Sequence, residues 1–496
     1  MITPPQVGQE SEERNPYNQT EPRNFAPRMI GYDQVPPPAF NLGSLASLSK
    51  DMVQAGGQAD NDPFRGSSST VVMRGTQRRW TASTPDVPAH IMVLRSRELN
   101  NLTSGPNHMP IASQALSPEY FPFIESFSLA YVPEHGVIKI RNIPFGANRQ
   151  EMIACLGRNS KILSDTMEPV HIMVDRVNGK TLDVYVEFLT LKDALNAVTR
   201  HHDAVKRGQY TRLRNRPVVL EVSTQAALME CLFPYARSVK WEGARPEIQD
   251  NPNKGANGTK DMSFQGFVTE EEMIMLVKHA EIPGRVPFSK DSPQRIYECM
   301  ISTLKKMPWY MTDYITIRQR HSIYDATYTL IEILQNSIQS HVNVDLLTPQ
   351  LLRRLVTAAM LCPGFSVTQK DCIAALAILD APTSKSFNQP EHADQWNHLL
   401  TLCPRPNIPT DLLDWYIAII REETIMHAQE QADHSREMSS ELTTFANAAH
   451  GYFGFLGREI GMPKGPAYDK MTLAQAAQLE ISAMQRVILR ALARRH

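Results

Sequence analysis

The stretch that decides the fold is GVIKIRNIPF at residues 136–145, because apolar and polar side chains alternate along it with the period of a β-strand. With that period, Ile138 and Ile140 point to one side of a sheet and build a core. Lys139 and Arg141 then point to the other side. The Asn-Ile-Pro sequence that follows predicts a turn, so the strand ends near residue 141.

The segments that follow switch between helix and strand periods. NRQEMIACLG has the apolar spacing of a helix, PVHIMVD is a second strand, and Asn178-Gly179 predicts a hairpin turn. LDVYVEFL is a third strand, LKDALNAVTRHH a second helix and RPVVLEVS a fourth strand. The order βαββαβ over about 90 residues predicts an α+β, ferredoxin-like fold, in which two helices back a four-stranded antiparallel sheet.

The rest of the chain divides by composition. Residues up to 130 are rich in Pro, Ser, Asn and Gly, which predicts a mostly disordered region, although the aromatic stretch at 118–133 could dock onto the domain that follows. Arg74, Arg78, Arg79 and Trp80 cluster within it and fit a short linear motif or a chance grouping. The predicted organisation is 1–130 disordered, 131–242 sheet domain, 243–262 linker, 264–430 all-α domain, 431–470 flexible segment and 471–496 basic amphipathic helix.

The helical prediction rests on helix-start signals and apolar spacing. Thr269 with Glu272, and Thr472 with Gln475, have the spacing of capping boxes. Thr348-Pro349 places proline at a first helical position. Apolar residues recur three to four positions apart through the region, without the fixed repeat length of a solenoid.

Bulk composition excludes several classes of protein. The 496 residues carry a net charge of −1, so any nucleic-acid signal must be local. No apolar run reaches the roughly 20 residues of a membrane span, and the N-terminus lacks the apolar core of a signal peptide. Six scattered cysteines have neither disulfide-framework nor metal-ligand spacing. We therefore expect a reduced protein of the nucleus or cytoplasm.

The four-stranded pattern resembles an RNA recognition motif (RRM), which stacks RNA bases on aromatics of its two central strands. At the matching positions of the first strand Lys139 replaces one aromatic, and in the third strand Asp183 replaces another. Only Tyr185 remains on the face that we expect to be open. Lys139 could pair with Asp183 across the sheet, which weakens this face as a stacking surface.

VIKIRNIPF, DVYVEFL and VVLEVS are similar to strands of the quasi-RRMs of the hnRNP F/H family. This resemblance covers about 90 residues and implies that RNA, often a guanine tract, is held by loops rather than by the sheet face. Arg141 and Phe145 match two of the family's clamping positions. Val219 stands where the family has a tyrosine, and Tyr210 is the local substitute.

Local charge agrees with binding by loops. Residues 200–216 contain six basic side chains against the single acid Asp203, beside Tyr210. Each phosphate that such a loop neutralises releases counterions and adds affinity. The predicted RNA-binding residues are Lys139, Arg141, Phe145, Tyr185, Lys206, Arg207, Tyr210, Arg212, Arg214 and Arg216.

Three functions compete on this sequence. The first is a post-transcriptional regulator that binds single-stranded RNA through a non-standard RRM, with protein partners on the helical region and the C-terminal helix. The second is a protein-interaction adaptor that binds peptides through the helical face of the RRM-like domain. The third is an enzyme, which we do not expect because HExxH, GxSxG and phosphate-loop motifs are lacking. We expect no metal and no cofactor.

Overall fold

The computed structural model describes residues 94–132, 134–144, 146–157, 159–249, 264–432 and 451–495. Phe145, one of the predicted RNA-binding residues, lies outside the described residues. So do the arginine–tryptophan cluster at 74–80 and most of the predicted linker. Among the described residues, no helix combines the length and the apolar character that crossing a membrane requires.

Residues 94–130 are folded, so the prediction of disorder is wrong for this stretch. Ser96 caps the first helix by accepting a hydrogen bond from the Leu99 amide at 3.2 Å. Leu102 and Phe123 are buried against helices from the far end of the chain, and the irregular spacing of the apolar residues around them gives no local sign of this. The elements are α1 (Arg97–Leu102), α2 (Ala112–Ala115) and β1 (Phe123–Glu125).

The strands and helices predicted for residues 136–223 are present in the predicted order. The elements are β2 (Gly136–Arg141), α3 (Arg149–Leu156), β3 (Val170–Val174), β4 (Thr181–Phe188), α4 (Leu191–Lys206), β5 (Arg212–Leu213), β6 (Arg216–Pro217) and β7 (Val219–Ser223). Four of the strands form one antiparallel sheet with the spatial order β3-β4-β2-β7, and a short β5–β6 hairpin lies beside it. The β3–β4 connection runs from residue 175 to 180, longer than the predicted two-residue turn, and only Gly179 has a positive φ there.

One face of the sheet packs on α3 and α4, as the period-two pattern predicts. Ile138, Ile140 and Phe188 are fully buried there with residues of both helices. Burying each such side chain contributes roughly 1.5–3 kcal/mol. Capping fixes where the helices begin, since Asn148 and Glu151 form a reciprocal capping box on α3.

The chain then enters a mainly helical region. The capping box of Thr269 with Glu272 and the helix start at Pro349 are confirmed. The first part of the predicted linker instead forms a β-hairpin. The elements are α5 (Gln225–Leu232), β8 (Val239–Glu242), β9 (Arg245–Ile248), α6 (Glu270–Glu281), α7 (Pro287–Asp291), α8 (Gln294–Lys306), α9 (Ile317–Gln339), α10 (Pro349–Met360), α11 (Val367–Leu376) and α12 (Ala381–Ser386).

The region predicted to be all-α contains one strand, which pairs with β1 and places Phe123 opposite Pro404. Part of the segment predicted as flexible also forms helices. The last helix docks its apolar face on the long helix before it, and the guanidinium of Arg490 lies 2.7 Å from Glu423 on that helix. The elements are β10 (Leu402–Pro404), α13 (Thr410–Ala432), α14 (Leu456–Ile460), α15 (Pro466–Lys470) and α16 (Leu473–Arg495).

Candidate nucleic-acid interface

The second face of the sheet is covered by the helical region. Helix α8 lies against β3 and α5 against β2, and Tyr185 belongs to the same buried cluster as Leu228 and Leu304. Tyr185 is only 3% exposed, so the prediction that it remains on an open face is wrong. The regions predicted as separate domains therefore share one continuous core.

A buried ionic network holds this covered face. A carboxylate oxygen of Glu187 on β4 lies 2.6 Å from Nζ of Lys306 on α8. The same carboxylate lies 3.0 Å from His171 Nε2 and accepts from Gln225 Nε2 at 2.6 Å. His171 Nδ1 in turn lies 3.0 Å from the Ser302 hydroxyl. Each partner satisfies a polar group that burial would otherwise leave without a hydrogen bond.

Burial and charge act in opposite directions on this network. Burial alone would raise the pKa of Glu187, but the Lys306 ammonium and the hydrogen bonds from His171 and Gln225 hold that pKa well below its usual range. Burial lowers the pKa of His171 despite the neighbouring carboxylate. Glu187 is therefore ionised and His171 neutral near pH 7.

Two further ion pairs fasten the sheet domain to the helical region. Arg176, just after β3, donates to Glu272 at 2.8 Å and to the Thr303 hydroxyl at 3.0 Å. Arg354 on α10 holds Glu168 with two hydrogen bonds of 2.8 and 2.7 Å. Bidentate arginine–carboxylate pairs constrain orientation as well as distance. Ion pairs with defined geometry thus hold the helical region against the covered face.

Lys139 stands at the margin of the covered face. Its ammonium lies 2.9 Å from Asp183, as the sequence predicted, and 5.5 Å from the centre of the Tyr185 ring. The hydrogen bond with Asp183 raises the pKa of Lys139. The side chain is 27% exposed, so Lys139 is engaged within the protein and contributes little to an open surface.

Arg141, two residues further along β2, lies on an exposed edge of the sheet domain. Its Nη1 is 3.3 Å from Glu221 on β7, and both side chains are about half exposed. At this end of the strand the backbone turns through Asn142, whose φ of 60° is left-handed. The Asn142 amide donates to the Pro217 carbonyl at 2.8 Å, which ties the turn to the β5–β6 hairpin.

Two arginines of that hairpin donate hydrogen bonds to backbone carbonyls of the turn after β2. Arg214 donates to the Gly146 carbonyl at 2.6 Å, and Arg216 donates to the Ile143 carbonyl at 3.1 Å. A Cβ at Gly146 would lie 2.7 Å from Arg214 Nη1, so only glycine leaves room for the guanidinium here. The hairpin is therefore fixed on the turn, and the two guanidinium planes are oriented before any ligand arrives.

The remaining predicted residues run from the last residue of α4 to the first strand of the hairpin. Lys206, Arg207 and Arg212 are exposed, and the Tyr210 side chain is 58% exposed. His201 on α4 contacts the Thr211 hydroxyl at 2.9 Å and so anchors the start of the hairpin. We name this surface the basic edge; it consists of Arg141, Lys206, Arg207, Tyr210, Arg212, Arg214 and Arg216.

The basic edge is only partly neutralised by its own acids. Arg141 pairs with Glu221, and Arg214 pairs with Glu151 at 3.2 Å. Within the described residues, Arg207 and Arg212 have no carboxylate partner. Exposed pairs are worth about 0–1 kcal/mol, so a stronger anion can displace them. Neither these competing acids nor the contact between Gly146 and Arg214 can be predicted from the sequence pattern.

A small cavity lies at the opposite end of β2, where the sheet meets α5 and the turn between β8 and β9. It encloses about 320 Å³, the lower end of the range for ligand pockets. Val132, Val137 and Leu191 give it an apolar lining, and Glu134 and Glu242 stand beside them. In the described part of the chain, no cluster of His, Cys, Asp or Glu has metal-binding geometry.

Comparison with protein families finds two matches in the chain. Residues 134–243 match a domain of unknown function, DUF8400, and residues 264–379 match a second, DUF8399. The first match contains the sheet, the basic edge and α5, and the second contains α8, which also covers the sheet. No curated protein and no solved structure matches the chain.

Proposed function

We propose that this chain is an RNA-binding protein whose residues 136–223 form an RRM that holds single-stranded RNA at the basic edge. The observation that carries the proposal is the pair of arginines fixed on the turn after β2, within an exposed group of six cations. The strand order, with two helices on one face, supports the RRM assignment. The resemblance of the strands to quasi-RRMs, which bind through loops, agrees with a site away from the sheet face.

Electrostatics supports this choice of surface. The protein has almost no net charge, so an exposed cluster of cations stands out as a local positive patch. Arginine donates through a planar fork that fits phosphate oxygens, and Tyr210 offers one exposed ring to a splayed base. Phe145, which lies outside the described residues, would be a second ring in this proposal. A role in mRNA processing or post-transcriptional regulation, in nucleus or cytoplasm, follows from RNA binding and needs no catalytic step.

The test is a titration of the full chain with fluorescent single-stranded RNA at two salt concentrations. We expect affinity to fall steeply with salt, and Arg214→Ala with Arg216→Ala to weaken binding roughly tenfold, because each arginine contributes phosphate contacts. The matched control removes two exposed cations of the helical region, Arg285→Ala with Lys385→Ala, for the same change in net charge. Equal loss in both variants would refute a localised site.

A protein-interaction adaptor is the second candidate. It is favoured by the covered face, where a surface that RRMs use for RNA instead binds a helix of the same chain. The same titration separates the two functions. RNA binding that is absent, or insensitive to salt and to the arginine substitutions, would leave the adaptor as the better proposal.

A further inference from the structure

The cavity at the start of β2 has walls that tertiary contacts hold in place. A Cβ at Gly136 would lie 2.3 Å from the Thr190 carbonyl oxygen, so glycine at this position lets the start of α4 pack directly on β2. On the other side, Tyr310 anchors the turn between β8 and β9, because its hydroxyl donates to the Ala244 carbonyl at 3.2 Å. A ligand would therefore meet a cavity that is already formed, which lowers the cost of binding.

The wall of the cavity is mostly apolar. Val137 and Ala244 are buried in it, and Val132 is partly buried. Leu191, at the start of α4, also lines the cavity and is 56% exposed. Covering such a surface with an aliphatic or aromatic group is favourable, because it removes apolar area from water.

Charges of both signs stand at the entrance to the cavity. The carboxylates of Glu134 and Glu242 and the guanidinium of Arg245 are exposed, and within the described residues none of the three forms an ion pair. The N-terminus of α5, which Thr224 caps, also lines the cavity. The first N–H groups of a helix have no acceptor inside the helix and carry partial positive charge. The cavity thus offers partners for a cation and for an anion.

Gln225 adds a buried acceptor that lacks a donor. This first residue of α5 lines the cavity and is only 7% exposed. Its side-chain nitrogen donates to Glu187 at 2.6 Å and to the His135 carbonyl at 3.3 Å. Because carboxylates and carbonyls only accept, these two bonds establish which end of the amide is the nitrogen. The other end, Oε1, accepts no hydrogen bond within the described residues, although buried acceptors nearly always have a donor.

We propose that this cavity binds a free α-amino acid with an apolar side chain. The ammonium group pairs with Glu134 and Glu242 and gives Gln225 Oε1 a donor. The carboxylate pairs with Arg245 and accepts from the N–H groups at the start of α5. The apolar side chain covers the wall. A peptide terminus carries only one of the two charges, and a nucleotide would bring its phosphates beside two carboxylates.

Isothermal titration calorimetry of the full chain, without RNA, tests the proposal, so its result is independent of the proposed function. The probes are L-leucine and two analogues that each lack one charge. L-leucinamide has no carboxylate, and N-acetyl-L-leucine has no ammonium. We expect L-leucine to bind and each analogue to bind at least about tenfold more weakly, since each loses a charged hydrogen-bonding group. L-alanine should also bind more weakly than L-leucine, because it covers less of the apolar wall.

Substitutions in the β8–β9 hairpin assign the two charges. Arg245→Gln should weaken L-leucine about tenfold and leave L-leucinamide unchanged, because only the amino acid has a carboxylate to lose. Glu242→Gln should weaken L-leucine and leave N-acetyl-L-leucine unchanged. The matched controls, Lys240→Gln and Glu247→Gln, remove exposed charges of the same hairpin that do not line the cavity. They should leave the binding of all three probes unchanged.

Three results would count against the proposal. Absence of binding by L-leucine, L-methionine and L-phenylalanine at millimolar concentration would overturn it. An analogue that binds as tightly as L-leucine would replace the free amino acid with a peptide terminus, the amino terminus for L-leucinamide and the carboxyl terminus for N-acetyl-L-leucine. Equal losses in the cavity variants and in their controls would place the binding elsewhere. Circular dichroism confirms that each variant is folded.

Discussion

The covered face and the basic edge both include residues of strand β2, yet their charged side chains have different partners. Lys139 on β2 pairs with Asp183 at 2.9 Å beside the helices, whereas Arg141, two residues on, reaches the open edge. On the covered face, Glu187 and His171 are satisfied by residues of α5 and α8. At the edge, cations contact backbone carbonyls and exposed acids that a ligand can displace.

This difference teaches that an RRM-like strand pattern does not by itself locate an interaction surface. The surface that alternation predicts to be open is the one that another part of the chain buries. The side chains that stay exposed to solvent lie at the turns, which the helices do not cover. The predictions that follow disrupt first the covered face and then the edge.

The largest effect should come from separating the sheet from its cover. A fragment of residues 130–249 keeps α5 but loses α8, so it exposes Met173 and Tyr185, which are buried in the intact chain. We expect it to lose cooperative thermal unfolding and to bind a hydrophobic dye, because its second face has lost its packing. The measurement is calorimetry of the fragment beside the full chain. Co-expression with residues 264–495 should restore a cooperative transition, and a fragment that unfolds cooperatively alone would contradict the shared core.

The next largest effect is expected for the ionic network within that face. Glu187→Gln leaves the Lys306 ammonium buried without a counter-charge. Removing one partner of a buried pair costs about 3–5 kcal/mol, so we expect a loss of unfolding free energy in that range by urea denaturation. Glu151→Gln removes an exposed partner of Arg214 and should cost less than about 1 kcal/mol. A similar loss of unfolding free energy in the two variants would show that Glu187 is not buried from solvent.

The covered face should also make stability depend on pH. Burial lowers the pKa of His171 in the folded chain, so below about pH 6.5 the unfolded chain binds a proton that the folded chain does not. The stabilisation present above pH 6.5 is then lost as pH falls towards the folded pKa, with a limiting slope of about 1.4 kcal/mol per pH unit. Urea unfolding at pH 7.5, 6.5 and 5.5 measures it. His171→Gln, which cannot titrate, should show a shallower dependence over this range.

The sequence predicts the sheet well because its information is local. Alternation along β2 and β4 identifies the residues of the first core, and Thr269, Thr472 and Pro349 mark helix starts through contacts within one turn. Such signals depend on neighbours three or four positions away. The same reasoning correctly predicts the Lys139–Asp183 pair, since adjacent strands bring the two side chains together.

The cover could not be predicted in the same way. Glu187 is 119 residues from Lys306, and His171 is 131 residues from Ser302. No local period encodes such pairings. The prediction of disorder fails for residues 94–130 for a related reason, since their apolar side chains follow no helix or strand period and are buried against the C-terminal part of the chain. The cations of the basic edge are visible in the sequence as a local excess of basic residues, but its acids and its glycine act through tertiary contacts.

The smallest expected effect concerns Gly146 and tests whether the basic edge is pre-organised. Gly146→Ala places a methyl group 2.7 Å from Arg214 Nη1, and the flexible end of that side chain must move. Because Gly146 does not have a positive φ, the unfolding free energy should change by less than about 0.5 kcal/mol. RNA affinity should fall roughly threefold, since an oriented arginine loses its position. In an Arg214→Ala background the same substitution should have no further effect, and an equal loss in both backgrounds would contradict the proposed seating.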